Sequence, residues 1–71
     1  MDADTAWRLY RWQVDCARKK HVPHALSFHA WCEMWGQDIE RRGKRRGDLY
    51  MQRIDPAAGY VAGNLRIVAR E

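Results

Sequence analysis

The stretch Gly47 to Arg70, GDLYMQRIDPAAGYVAGNLRIVAR, limits the fold more than any other part of the chain. Leu49 to Ile54 and Leu65 to Ala69 each alternate apolar and polar residues, the two-residue period of a half-buried strand. Between them stand Pro56, Gly59, Gly63 and Asn64, residues that set or permit the backbone angles of turns. The connection of about ten residues is too long for a tight hairpin and predicts a structured loop. The expected product is a two-stranded antiparallel β-ribbon, residues 49–69, carried on helices that the rest of the chain supplies.

Those helices are read from spacing. Asp4 or Thr5 can cap a first helix reaching about Lys20. At 100° per residue Ala6, Trp7, Tyr10, Val14, Ala17 and His21 share one side, while Leu9, Trp12 and Cys16 lie nearly opposite. Two opposed apolar stripes need two covers, and a chain of 71 residues has little material for the second. Either Trp12 packs under the tail or the ribbon, or Leu9 and Trp12 face a partner. Pro23 breaks the helix and Ser27 can cap the next one. There Phe28, Trp31, Cys32, Trp35 and Ile39 form one core stripe, with Gly36 either tolerated or splitting the helix. The expected class is α+β: one domain of two helices packed on the ribbon, with residues 4–42 helical and 43–48 a basic Gly/Arg segment.

A chain of this length has room for one small core and often leans on a metal, a partner or a second copy of itself. Its charge is concentrated. Arg41, Arg42, Lys44, Arg45 and Arg46 put five cations next to the ribbon, and the remainder of this +4 chain is nearly neutral. The run is either a nucleic-acid contact, since arginine forks match phosphate oxygens, or a solvated linker or acidic-protein surface. Arg18 to Lys20 complement the negative end of the first helix. Cys16 and Cys32 form no Cys-x-x-Cys pair and are expected as reduced thiols. No signal peptide or membrane span is expected, so the reading is a cytoplasmic protein. His21, His24, His29 and Cys32 are either a zinc set or three surface histidines and a core thiol.

The tail also resembles the ββ part of the HNH-type (ββα-metal) fold, and in particular its small phage and prophage members. The residues that carry the resemblance are Arg42-Gly43, Arg46-Gly47, Tyr50-Met51, Arg53, Asp55, Gly59-Tyr60, Gly63-Asn64 and Leu65 to Val68, about a third of the chain. Ser27-Phe28, Trp31 and Trp35 match the same group more loosely. The resemblance implies a divalent metal held between ribbon and a following helix, with a histidine base ending the first strand. By that resemblance the base falls at Arg53 and a metal ligand at Gln52, and the third-motif helix would lie beyond Glu71. A guanidinium is no base and an amide is a poor ligand, so a degenerate, truncated module is expected. The structural asparagine is matched by Asn64. Asp55 either binds a metal weakly or initiates the turn with Pro56.

The leading expectation is therefore a non-enzymatic phage-type nucleic-acid-binding protein, with DNA in the first place and no cofactor or metal. Its contacts would be Arg41, Arg42, Lys44, Arg45, Arg46, Arg53 and Arg66, with Arg53 alternatively pairing with Asp55 or Asp48, and with Asp55, Gly59 and Asn64 shaping the loop. Tyr60 either stacks on a base or a partner or pins its own loop. A rival of another class is a phage-encoded inhibitor that docks on a host protein, for example an anti-CRISPR-type protein, through Leu9, Trp12 and Tyr60 or the basic run. A third reading is a metal-dependent HNH-type nuclease. A homodimer would give the Leu9/Trp12 stripe its cover.

Overall fold

Helix α1, Ala3–Lys19, begins at Asp2, whose carboxylate accepts a hydrogen bond from the Thr5 amide at 2.8 Å. The cap thus lies two to three residues earlier than the sequence placed it. Asp4 then falls in the first turn, where its charge complements the amide end of the helix. The computed structural model describes residues 2–71. At the far end of α1, His21 takes a left-handed backbone, φ 58°, and two bonds close the helix. The His21 amide donates to Arg18 and the Val22 amide to Ala17 at 2.8 Å, a Schellman closure. Glycine usually fills this position, because a Cβ costs about 1–2 kcal/mol there.

Ser27 caps helix α2, Phe28–Trp35, through a 3.1 Å bond from the Ala30 amide to its hydroxyl. Gly36, at φ 51°, ends it, and a 3-10 helix continues over Gly36–Arg41. The glycine therefore splits the helical stretch, one of the two outcomes its position allowed. Strands β1, Leu49–Arg53, and β2, Leu65–Ala69, pair antiparallel with Leu49 opposite Ala69 and Arg53 opposite Leu65. The expected α+β architecture of two helices and a two-stranded ribbon is what the chain adopts. β1 stops one residue earlier than expected, and exposed Ile54 leads into the loop. Among the described residues no helix is long and apolar enough to cross a membrane.

The core lies between α1, α2 and the inner face of β1. Trp31 and Trp35 are buried, with Ala6, Leu26, Leu49 and Met51 around them. Neither indole N–H finds a partner. Each ring buries roughly 150–250 Å², about 4–6 kcal/mol at ~25 cal per Å², against ~1–3 kcal/mol for an unpaired donor. Burial wins. Tyr10 ties the helices together: its hydroxyl donates to the Leu26 carbonyl at 2.7 Å, and its ring meets Trp7, His24, Phe28 and Trp31.

The basic segment is no loose linker. The Gly43 amide donates to Leu49 at 3.1 Å and the Gly47 amide to Arg70 at 2.9 Å, while the Arg70 amide donates to Asp48 at 2.8 Å. Arg42, placed with the helical part by its sequence, instead bridges to Leu49 in parallel, alongside β1. The Asp48 carboxylate closes the turn by accepting from the Arg45 amide, and it packs where a Cβ on Gly43 would stand.

The loop between the strands is clasped to the α1–α2 connection. The Tyr60 amide donates to Pro23 and the Ala25 amide to Tyr60, both at 2.9 Å. Gly59 permits this approach, since a Cβ there would collide with the Pro23 carbonyl. Two substitutions separate backbone shape from side-chain chemistry. His21→Gly should raise stability by about 1 kcal/mol, and Gly59→Ala should lower it by about 1–3 kcal/mol. Urea midpoints measured against the unmodified chain check both.

Candidate nucleic-acid interface

The second apolar stripe of α1 meets the basic segment. Leu9 is half-buried against the core, whereas Trp12 keeps 53% of its surface exposed. Between them and the ribbon runs a groove of about 360 Å³, completed by Arg42, Gly43, Lys44, Leu49, Tyr50 and Arg70. A second compartment of about 250 Å³ shares Trp12, Arg42, Tyr50 and Arg70 and reaches Lys20. Neither compartment is lined by an acidic side chain.

Cations and rings alternate along it. The Lys44 ammonium stands 5.8 Å from the centre of the Trp12 ring, and the Arg70 guanidinium 4.5 Å from that of Tyr50. Arg42 lies over Trp35 at 5.7 Å, so the ring that fills the core also supports the floor of the groove. Arg70 is aimed by a 2.7 Å bond from its Nε to the Gly43 carbonyl. Arg42 is half-buried, and its Nε has no partner. Burial first, and the neighbouring Arg70 charge second, pull the Arg42 guanidinium below its ordinary pKa. Among the described residues neither arginine forms an ion pair. Two like charges share a wall that offers them no counter-charge.

The other expected cations divide. Arg41, Lys44, Arg45 and Arg46 are exposed, and Arg41 makes only a long contact of 4.0 Å to Asp38. Surface pairs of that kind contribute little. Arg66 is exposed on the outer face, where its Nε donates to Gln52 at 2.7 Å. Arg53, expected on phosphate, is occupied within the fold: it donates to the Pro56 carbonyl at 3.0 Å and covers the Tyr60 ring at 5.4 Å. Tyr60, a partner contact or a pin for its own loop by its sequence, is half-buried against His24 and pinned through its backbone, and it also lines the second compartment. Both side chains hold the loop.

Asn64 is the centre of that loop. Its amide group donates to the carbonyls of Asp55 at 3.2 Å and Gly59 at 2.9 Å, and its oxygen accepts from the Asp55 amide at 2.9 Å. The Asp55 carboxylate accepts from the Ala57 amide, the geometry of a turn initiator. Gln52 donates to the Tyr50 hydroxyl at 3.1 Å, so the positions that resemblance assigns to a base and a metal ligand hold an arginine and an amide in structural bonds. Among the described residues no three His, Cys, Asp or Glu side chains gather as a metal site. His29 instead pairs with Glu33, and His24 reaches Gln13 at 3.1 Å.

Tyr50, Arg70 and Lys20 are the site residues that sequence reasoning passed over. The two-residue period carried part of the signal, since Arg70 shares the parity of Arg66 and Val68 and falls diagonally across from Tyr50. Compared with protein-family models, curated proteins and solved structures, the chain finds no match.

His24 gives the clasp a pH dependence. Burial among Tyr10, Tyr60 and Gln13 lowers its pKa, so the unfolded chain binds the proton more readily. Stability from the neutral ring is therefore complete above the ordinary histidine value of about 6.5 and is lost as pH falls below it. The urea midpoint should drop between neutral and mildly acidic buffer, and His24→Asn should flatten that part of the drop.

Proposed function

We propose that this protein binds nucleic acid without cleaving it, through the basic segment and the cation-lined groove beside it. The observation that carries this reading is the pairing of Arg42 and Arg70 against Tyr50 and Trp35 in a groove with no acidic side chain. Holding two guanidiniums together without a carboxylate is unfavourable for the free protein and favourable once an anion lies between them. Exposed Arg41, Lys44, Arg45 and Arg46 extend the same field outward, where phosphates release their counterions on binding. The ribbon is then an HNH-like scaffold whose reactive positions carry Arg53 and Gln52, side chains suited to holding a loop and not to activating water.

A protein partner is the second reading. The exposed Trp7, edge-on to Phe28 at 5.0 Å, and the exposed Ile54 favour it, because large apolar side chains are over-represented where proteins meet.

Mobility-shift titrations at two salt concentrations decide between them. Binding should weaken steeply with salt, and Arg41→Ala, Arg45→Ala and Arg46→Ala should each lower the salt slope by about 1 if that side chain touches phosphate. Plasmid should stay intact with Mg²⁺ or Mn²⁺ present. A protein that shifts neither DNA nor RNA at low salt lacks the proposed function and leaves the protein-partner reading.

A further inference from the structure

A surface that only neutralises phosphates needs charge and no rings. This groove has both, and its aromatic side chains are not all closed off. Trp12 remains 53% exposed although the Lys44 ammonium stands above it. Lys44 is itself exposed on a flexible stem and can move aside or turn its charge to a ligand. Trp12 is thus a flat apolar surface open to solvent beside three cations, an arrangement that the folding of the chain does not require.

We infer that the groove takes a single-stranded segment, with one unpaired base stacked on Trp12 and an adjoining phosphate between Arg42 and Arg70. The inference rests on the nucleic-acid reading above and narrows it to a substrate class. Stacking requires a base whose face is free, and in a duplex both faces are covered by neighbouring pairs. The larger compartment, about 360 Å³, falls in the lower range of small-ligand pockets and the smaller, about 250 Å³, lies just below it, sizes that suit nucleotides entering singly and not a double helix. The phosphate position follows from the charges. Arg70 is held in place by Gly43 and its charge bears on the half-buried Arg42, so an anion between the two guanidiniums offsets the repulsion between like charges. Aromatic platforms joined to a cationic track are the general means by which proteins hold single strands without reading sequence.

Fluorescence anisotropy on the full chain tests this with four labelled oligomers of about twelve nucleotides, a length within single-strand site sizes. They are an oligodeoxyuridylate, an oligouridylate, a duplex, and an abasic strand with the same phosphates. At least one single strand should bind more than about tenfold tighter than both the duplex and the abasic strand. Trp12→Ala should weaken that binding roughly 5- to 150-fold, and by a larger factor than it weakens duplex binding. Trp12→Phe, which keeps a ring, should retain most of it, and since residue 12 is exposed both variants should melt like the parent. The order of the DNA and RNA strands identifies the sugar, and a preference for either supports the inference. Equal binding of all four oligomers, with a steep salt dependence and no effect of Trp12→Ala, overturns base stacking and leaves general nucleic-acid binding standing. Binding of none of them removes both.

Discussion

Trp35 links the stability of this protein to its surface. Its ring is buried with Trp31 between α2 and the inner face of β1, and in a chain this small those two indoles supply much of the apolar area available. The same ring carries the Arg42 guanidinium. Packing the core therefore fixes the position of a half-buried cation at the foot of the groove, and the Gly43–Leu49 bond fixes the backbone beside it. Core and site are two sides of one residue.

The backbone connections explain how so little core holds so much loop. Residues 54–64 and 43–48 have no regular structure, yet each is bonded at both ends to something rigid. The first is closed by Asn64 on itself and by Tyr60 on the α1–α2 connection. The second is closed by Leu49 at one end and Arg70 at the other, which continues the ribbon ladder beyond its last pair. Hydrogen bonds of this kind each contribute only about 1 kcal/mol net. Their larger effect is positional, because they set Tyr50, Arg70 and Lys44 along one track.

Three features of that track work against folding stability, beside the ring contacts and the Arg70–Gly43 bond that favour it. Arg42 and Arg70 repel one another, Arg42 is partly withdrawn from water, and Trp12 exposes a large apolar face. None of these helps the free chain fold. By contrast Arg53, Asp55 and Tyr60 are satisfied within the loop. The division falls between groups that complete the fold and groups that the fold leaves without a partner.

Local order is legible in this sequence because it follows from local periods. The alternation in 49–53 and 65–69, the Ser27 cap, the break at Gly36 and the loop role of Asn64 all depend on residues within a turn or two of one another, or on a single loop. What no local pattern contains is which distant groups meet. The groove joins residues 9 and 12, 42–44, 49 and 50, and 70, segments brought together only when α1 lies across the start of the ribbon. The displaced cap at Asp2 and the occupied state of Arg53 and Tyr60 belong to the same class. A charge count cannot separate an arginine that covers its own loop from one that faces an open groove. The chain's periodicity determined its elements and its composition the sign of its surface, while tertiary packing decided which cations stay unpaired, because pairing depends on distance in space and not on distance in sequence.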